Sequence, residues 1–176
     1  RNILRGKLDG DFFINGEIGA RYLPSSYGNF NIQVHDGVLH EFPVLSKIFS
    51  LLNVSQLFAL QLPDMDLEGM PFNKLTAHFK LDKGILATED LKIESEAMNQ
   101  SYQGELDLVN KMADYSVAIH PLGTVDKIVS RVPIAGWLLT GEDRALLTAH
   151  FSVKGKFGDH SVSAMPLDTL TEPTIG

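Results

Sequence analysis

Apolar and polar residues alternate along much of the chain, and this pattern predicts β-strands. Phe30, Ile32 and Val34 share one side of an extended segment, while polar residues occupy the positions between them. The dipeptide Asp36-Gly37 comes next and suits a turn with positive φ. The apolar pattern then resumes, so the segment is interpreted as a strand–turn–strand unit.

The same unit recurs further along the chain. Residues 75–81 alternate, and Asp82-Lys83-Gly84 supplies a second turn. Residues 8–13 and 153–157 resemble shorter copies with a glycine at the turn. Further alternating positions are Leu91, Ile93, Leu106, Leu108, Tyr115, Val117, Ile119, Ala145, Leu147, Ala149, Phe151 and Val153. The pattern predicts a mainly β fold, a curled antiparallel meander of repeated hairpins.

Two segments depart from this period and predict short helices that cover one face or one end of the sheet. Residues 42–52 carry apolar side chains at helical spacing, with Pro43 acceptable in a first turn. Residues 125–132 do the same after Thr124, a suitable N-cap. The stretch 133–139 is apolar, but proline and glycine interrupt it, so it is predicted to be a loop.

Length and charge narrow the class of protein. The 176 residues are expected to form a single domain over positions 1–176. The net charge is −7 with scattered lysine and arginine, which argues against nucleic acid as a partner. Cysteine is absent, so disulfides and thiolate sites are excluded. Arg1 opens within an apparent strand, and we expect the chain to be a fragment of a longer protein whose membrane anchor lies elsewhere.

No residue pattern indicates catalysis, a metal or a cofactor. Nucleophile elbows, phosphate loops and paired metal-ligating histidines are missing from the sequence. His35 and His40 flank the predicted turn, and a solvated role is favoured for both. The carboxylate pairs Asp64/Asp66 and Glu94/Glu96 raise a glycosidase interpretation, but a charged solvent face is the favoured explanation of both pairs. The chain is therefore predicted not to be an enzyme.

An ordered set of segments carries a family resemblance. Residues 29–39 are followed by 44–53, then by 70–91, 102–110 and 151–167. Together these segments resemble the C-terminal region of the AsmA-like family, in that family's usual order. The resemblance implies an envelope protein of double-membrane bacteria, located in the periplasm and tethered to the inner membrane. It also implies a long β-sheet with a hydrophobic groove that is implicated in moving phospholipid between the inner and outer membranes.

The implied partner is the acyl chain of a phospholipid, and the alternating apolar face supplies the candidate contact residues. These are Phe30, Ile32, Val34, Leu75, Phe79, Leu106, Leu108, Val117, Ile119, Leu147 and Phe151. Trp137, Leu138 and Leu139 are candidates for contact with a membrane or a partner, because tryptophan favours the headgroup boundary.

Two other functions stay open at this point. The same apolar face suits a structural or protein-docking module with a filled core, in which the helices cover the sheet. A carbohydrate-active enzyme is the third alternative, and it requires two carboxylates that face each other in a polar cleft.

Overall fold

The alternating segments form nine strands of one antiparallel sheet. The structure, a computed structural model, describes residues 4–19, 21–40, 43–52, 69–122, 137–140 and 146–165. The strands are β1 (Leu4–Asn15), β2 (Tyr27–Leu39), β3 (Met70–Asp82), β4 (Ile85–Glu94), β5 (Met98–Asp107), β6 (Met112–Pro121), β7 (Trp137–Thr140), β8 (Leu146–Lys156) and β9 (Asp159–Ala164), and the helices are α1 (Tyr22–Ser25) and α2 (Pro43–Leu52).

The strand order follows the chain almost without exception. Strands β1 to β6 lie side by side in sequence order, and β8 pairs with the outer side of β6. On the far side of β8, β7 pairs with residues 146–149 and β9 with residues 151–156. Every pairing is antiparallel, and the sheet does not close on itself, so β1 is one edge while β7 and β9 form the other. The predicted mainly β antiparallel meander is confirmed.

Helix α2 covers the apolar side of the sheet. Its predicted position at 42–52 agrees with the observed Pro43–Leu52. Leu45 and Ile48 are 1 % and 0 % exposed, and they pack into the main hydrophobic cluster with residues of β2 to β6 and of β8. At the far edge, Lys47 Nζ donates a hydrogen bond to the backbone oxygen of His160 in β9, at 2.8 Å. A helix that follows β2 in the chain therefore also contacts the last strand.

The second predicted helix, at 125–132, lies outside the described residues. A further short helix, α1, forms a single turn in the connection from β1 to β2, and the sequence pattern did not indicate it. Ser26 Oγ donates to the Leu23 oxygen at 2.7 Å, and Ser25 Oγ accepts a hydrogen bond from the Glu17 backbone at 2.8 Å. These local side-chain bonds hold the turn, and they follow no apolar period.

Of the four predicted turns, one is present as predicted, one is displaced towards the C-terminus and two are absent. Lys83 and Gly84 have φ of 50° and 80° and connect β3 to β4, as predicted. By contrast, β1 continues straight through Asp9-Gly10, and β2 continues through Asp36-Gly37. Asp36 does have a φ of 51°, but it lies where the β1–β2 register shifts by one residue, which is a bulge and not a reversal. Pairing with neighbours on both sides of β2 outweighs the turn preference of one dipeptide.

Two further corrections concern the end of the chain. The reversal predicted at Gly155 occurs three residues later, at Gly158 of the turn Phe157-Gly158, and β9 then returns along β8. The stretch 137–139, predicted to be part of a loop, belongs to β7 because its backbone pairs with the start of β8. Proline and glycine at 133–136 end the apolar run before the strand begins, and residues 133–136 themselves lie outside the described part of the chain.

Candidate functional site

One face of the sheet is apolar from edge to edge. Directly paired residues in neighbouring strands point to the same side, so pairing extends the alternation of each strand into rows across the sheet. One row runs Leu8, Val34, Leu75, Ile93, Gln100, Ile119 and Ala149, and another runs Ile14, Gly28, Leu81, Leu86, Leu106, Ala113 and Gly155. We call this side the apolar face. The opposite side, the polar face, carries mainly charged and amide side chains.

A bulge in β4 keeps this face continuous. The register shifts between Thr88 and Leu91 against both neighbouring strands, so β4 holds one extra residue there. Leu86 and Thr88 precede the bulge on the apolar face, and Leu91 and Ile93 follow it on the same face. Without the extra residue, Leu91 and Ile93 would point to the polar side.

The part of the apolar face beneath α2 is a filled core. Four of the predicted lipid-contact residues are buried there: Val34 at 2 % exposure, Val117 and Ile119 at 0 %, and Phe151 at 1 %. All four belong to the same cluster as Leu45 and Ile48 of α2. In this state the helix occupies the space above them.

Towards β1 the apolar face is open. Leu8 and Phe12 expose 69 % and 73 % of their surface, and Ile14 exposes 38 %. Phe12 stacks on Phe30 with ring centroids 6.3 Å apart, and Phe30 pairs directly with Phe79 of β3. We call Leu8, Phe12 and Ile14, together with the adjoining Phe30 and Phe79, the open strip. It is the exposed continuation of the same face that α2 covers further along.

The other predicted contact residues have different positions. Ile32, Leu75 and Leu106 are half-buried on the apolar face, between the open strip and the core. Leu108 is half-buried in the turn that follows β5, and not in a strand. The side chains of Leu147, Trp137, Leu138 and Leu139 lie outside the described part of the structure.

Two polar side chains are set into the apolar face beside the core. Gln100 is 1 % exposed; its Oε1 accepts a hydrogen bond from the Tyr102 hydroxyl at 2.6 Å, and its Nε2 donates to Met70 Sδ at 3.4 Å. Burial, followed by the neighbouring Tyr115, raises the pKa of Tyr102, so its hydroxyl stays a donor at all physiological pH values. The pair is internally bonded, as a buried polar group must be, and it offers no free charge for catalysis.

The polar face shows no assembled catalytic pair among the described residues. Glu94 and Glu96 are both exposed, at the end of β4 and in the bend after it, while Asp64 and Asp66 lie outside the described residues. His35 and His40 do not face each other across a hairpin, because β2 has no reversal between them. Within the described residues, no three His, Asp or Glu side chains are grouped as a metal site.

One charged contact on the polar face stabilises the bulge. The ring Nδ1 of His78 contacts Asp90 Oδ2, and the backbone nitrogen of His78 donates to Asp90 Oδ1 at 2.9 Å. Burial raises the pKa of Asp90, but the contacts with His78 and Thr88 together outweigh it, and the pKa lies below its ordinary value. An adjoining shallow hollow of about 780 Å³ is lined by polar residues such as Asp11 and Asn31 together with Phe13, Phe79 and Ala87. These groups are exposed and lack a buried partner, so a structural role explains them.

The residues most accessible to a ligand were missed in the sequence. Leu8 and Phe12 did not appear among the predicted contacts because Asp9-Gly10 was interpreted as a turn. The signal was nevertheless present, since Leu8, Gly10, Phe12 and Ile14 alternate with polar or aromatic residues over one uninterrupted strand.

Comparison with known proteins supplies the family. The family model described as YhdP protein matches residues 6–160, which is most of the chain. Searches of curated proteins and of solved structures returned no match. Among the described helices, none has the length and apolar character needed to cross a membrane.

Proposed function

Because this chain belongs to the YhdP family of AsmA-like envelope proteins, we propose that it is a non-catalytic module that shelters a phospholipid tail on its apolar face. In this role it takes part in moving phospholipid between the inner and outer membranes. It works in the periplasm, within a protein tethered to the inner membrane.

The observation that carries the proposal is the continuity of the apolar face from core to surface. A domain that needs only a core buries its large side chains, yet Leu8 and Phe12 remain mostly exposed on the same face that α2 covers elsewhere. Exposed apolar surface of this kind marks an interaction site. A flexible acyl chain matches it because it needs no hydrogen-bonding partner.

The energetics of a lipid tail support this use of the strip. Each CH₂ group exposed to water costs about 0.8 kcal/mol, so a tail of roughly 16 carbons costs on the order of 12 kcal/mol. A strip that covers even half of the tail removes several kcal/mol from that cost. The interaction is not specific to a headgroup, since the described residues of the strip carry no charge.

A second candidate is a protein-docking module with a filled core. The burial of Leu45 and Ile48 of α2 against Val117, Ile119 and Phe151 favours it, because this region has no room for a lipid. In that case the open strip is the contact surface for a protein segment and not for a lipid. A carbohydrate-active enzyme has no comparable support among the described residues.

Photo-crosslinking at two adjacent positions separates these candidates. Phe12 and Phe13 are both exposed, at 73 % and 54 %, but they point to opposite faces of β1. Each is replaced in turn by p-benzoylphenylalanine, and the chain is irradiated with a short-chain phosphatidylcholine below its micelle concentration. We expect a lipid adduct, detected by mass spectrometry, at position 12 and none at position 13.

The outcomes are distinct. Equal labelling at both positions, or none at position 12, contradicts lipid binding by the strip. A protein adduct at position 12 in cells, without a lipid adduct in vitro, supports the docking module instead. Lipid extraction of the purified chain gives an independent measurement, in which a stoichiometric phospholipid supports the proposal.

A further inference from the structure

A second exposed apolar surface lies at one end of the strands. Four connections lie at the same end of the strands: β1–β2, β3–β4, β5–β6 and β8–β9. They consist of residues 16–26, 83–84, 108–111 and 157–158. We call this edge the turn rim. Adjacent turns are two strand spacings apart, about 10 Å.

Exposed large hydrophobic side chains concentrate on the turn rim. Of the fourteen such residues in the described part of the chain, eight lie in these four connections or within two residues of them. Ile18 is fully exposed at 102 %, and Phe157 exposes 44 %. The eight are Ile14, Ile18, Tyr22, Leu23, Tyr27, Val109, Met112 and Phe157.

The four connections support one another. The backbone nitrogen of Leu108 donates to the Gly84 oxygen at 2.9 Å, and the nitrogen of Phe157 donates to the Lys111 oxygen at 2.9 Å. A Cβ on Gly84 would lie 2.5 Å from Val109 Cγ2 and 2.9 Å from the Leu23 oxygen, so these turns are in close contact. The apolar side chains are therefore held outward by hydrogen-bonded turns.

From this arrangement we propose that the turn rim docks on the surface of a lipid bilayer. A protein partner usually meets a contiguous surface of matching shape. Here five of the eight apolar side chains belong to the β1–β2 connection and its flanks, and the other three belong to the β5–β6 and β8–β9 turns. Side chains spread in this way along the edge of a sheet suit a fluid that fills the spaces between them. Tyr22 and Tyr27 add amphipathic rings of the kind enriched at the membrane interface.

The charges on the rim fit a shallow position at a zwitterionic surface. Lys83, Lys111 and Lys156 each stand at one hairpin, where a long side chain reaches lipid phosphates. Asp82 and Asp159 are exposed beside them and limit the depth of insertion. Lysine and aspartate nearly balance along the rim while the whole chain carries −7, so apolar insertion and not net attraction drives the binding.

This proposal is independent of lipid binding by the open strip, although the two are compatible. The row of the apolar face nearest the rim, from Ile14 through Leu81 and Leu106, begins immediately inside the turns. A tail that leaves a bilayer at the rim would therefore meet apolar side chains at once. Docking does not require that transfer, and it is measured separately.

Flotation with vesicles tests the proposal. The 176-residue chain is mixed with phosphatidylcholine vesicles, and the partition coefficient is compared with that of an Ile18→Ser, Phe157→Ser double variant. Burial of each large apolar side chain favours partitioning by roughly tenfold, so the partition coefficient of the double variant should be about a hundredfold lower. Leu51→Ser is the matched control, because Leu51 is 55 % exposed on α2 and belongs to none of the four connections.

The proposal is overturned if the wild-type chain stays in the lipid-free fraction. It is also overturned if the partition coefficient of the control falls as much as that of the double variant. Raising the salt concentration or adding phosphatidylglycerol should not strengthen the binding. A strong increase with phosphatidylglycerol would show that charge and not apolar insertion is responsible. Circular dichroism of each variant verifies that the sheet is retained.

A site-specific probe gives a second measurement that does not depend on destabilising changes. The chain has no cysteine, so Phe157→Cys and Leu51→Cys each accept a single environment-sensitive fluorophore. We expect a blue shift on addition of phosphatidylcholine vesicles at position 157 and not at position 51. The same shift at both positions, or at position 51 alone, contradicts docking through the rim.

Discussion

Replacing Gly37 with alanine tests how the end of β2 packs against β3. Gly37 pairs directly with Phe72, and a Cβ built on Gly37 would lie 2.6 Å from both Cε1 and Cε2 of the Phe72 ring. Phe72 is only 3 % exposed and belongs to the main core cluster. The ring thus occupies the space above the glycine, an arrangement in which a cross-strand aromatic side chain covers a glycine.

The size of the effect follows from these distances. Carbon atoms in contact lie about 3.5–4.0 Å apart, and the Cζ atom of the ring lies even closer to the built Cβ than the Cε atoms do, so the ring of Phe72 must move by about 1.5 Å. Displacing a well-packed core side chain costs about 1–3 kcal/mol. Alanine offsets roughly 0.4–1 kcal/mol by restricting the unfolded chain. We expect Gly37→Ala to lower the free energy of unfolding by about 0.5–2 kcal/mol, which lowers Tm by about 1–8 °C.

The assay is a double-mutant cycle followed by urea unfolding and circular dichroism. Gly37→Ala, Phe72→Leu and the double variant are compared with the wild type. Leucine lacks the ring atoms that the new methyl group meets, so the alanine should cost little in the Phe72→Leu background. A coupling free energy of about 1 kcal/mol is expected. If Gly37→Ala costs the same in both backgrounds, or nothing in either, then the ring is not the reason for glycine at this position.

Two further predictions concern α2 and the β4 bulge. Ile48→Ala should lower the free energy of unfolding by about 2–5 kcal/mol, because Ile48 is fully buried. Leu51→Ala, on the exposed side of the same helix, should change it by less than about 0.5 kcal/mol. Urea unfolding midpoints measure both effects, and equal effects would contradict the packing of α2 on the sheet. Asp90→Ala should lower the urea midpoint near neutral pH. Contacts with His78 lower the pKa of Asp90, so the stability that they provide is present above the ordinary pKa of 3.8 and is lost as the pH falls through the pKa of the folded state. The difference in stability between wild type and variant should therefore shrink in that pH range. A difference that stays constant with pH would refute the role of the charge.

The sequence was a reliable guide to strands and a poor guide to reversals. Two glycine dipeptides with similar turn preferences behave differently: Lys83-Gly84 closes a hairpin, while Asp36-Gly37 lies within a strand of thirteen residues. The dipeptide alone does not distinguish them, because the outcome at Asp36-Gly37 depends on β1 and β3 on either side and on the ring of Phe72. Those are long-range contacts that a local pattern does not contain.

Alternation predicted which side chains share a face, but not which of them are covered. Phe30 and Val34 belong to the same alternating run, yet Val34 is buried beneath α2 while Phe30, in the open strip, is only half-buried. The difference arises from where a ten-residue helix lies across the sheet, and the helical period of 43–52 says nothing about that position. Burial is therefore a property of the tertiary arrangement, and the sequence could identify candidates only for the whole face.

The division of the apolar face into a covered core and an open strip limits how many lipid tails the described part of the chain can bind. Beneath α2, side chains with at most a few per cent exposure leave no space, so a lipid tail is restricted to the open strip unless the helix moves. From Leu8 to Ile14 the strip extends over six residue steps, roughly 20 Å at 3.3 Å per residue. The tail of a lipid in one leaflet reaches about 15 Å, half of a hydrocarbon core of about 30 Å. The strip is thus long enough for one tail along β1, and a second tail would have to displace Leu45 and Ile48, whose burial makes that exchange unfavourable. More than one phospholipid per chain in the lipid-extraction measurement would show that α2 leaves the sheet when lipid binds.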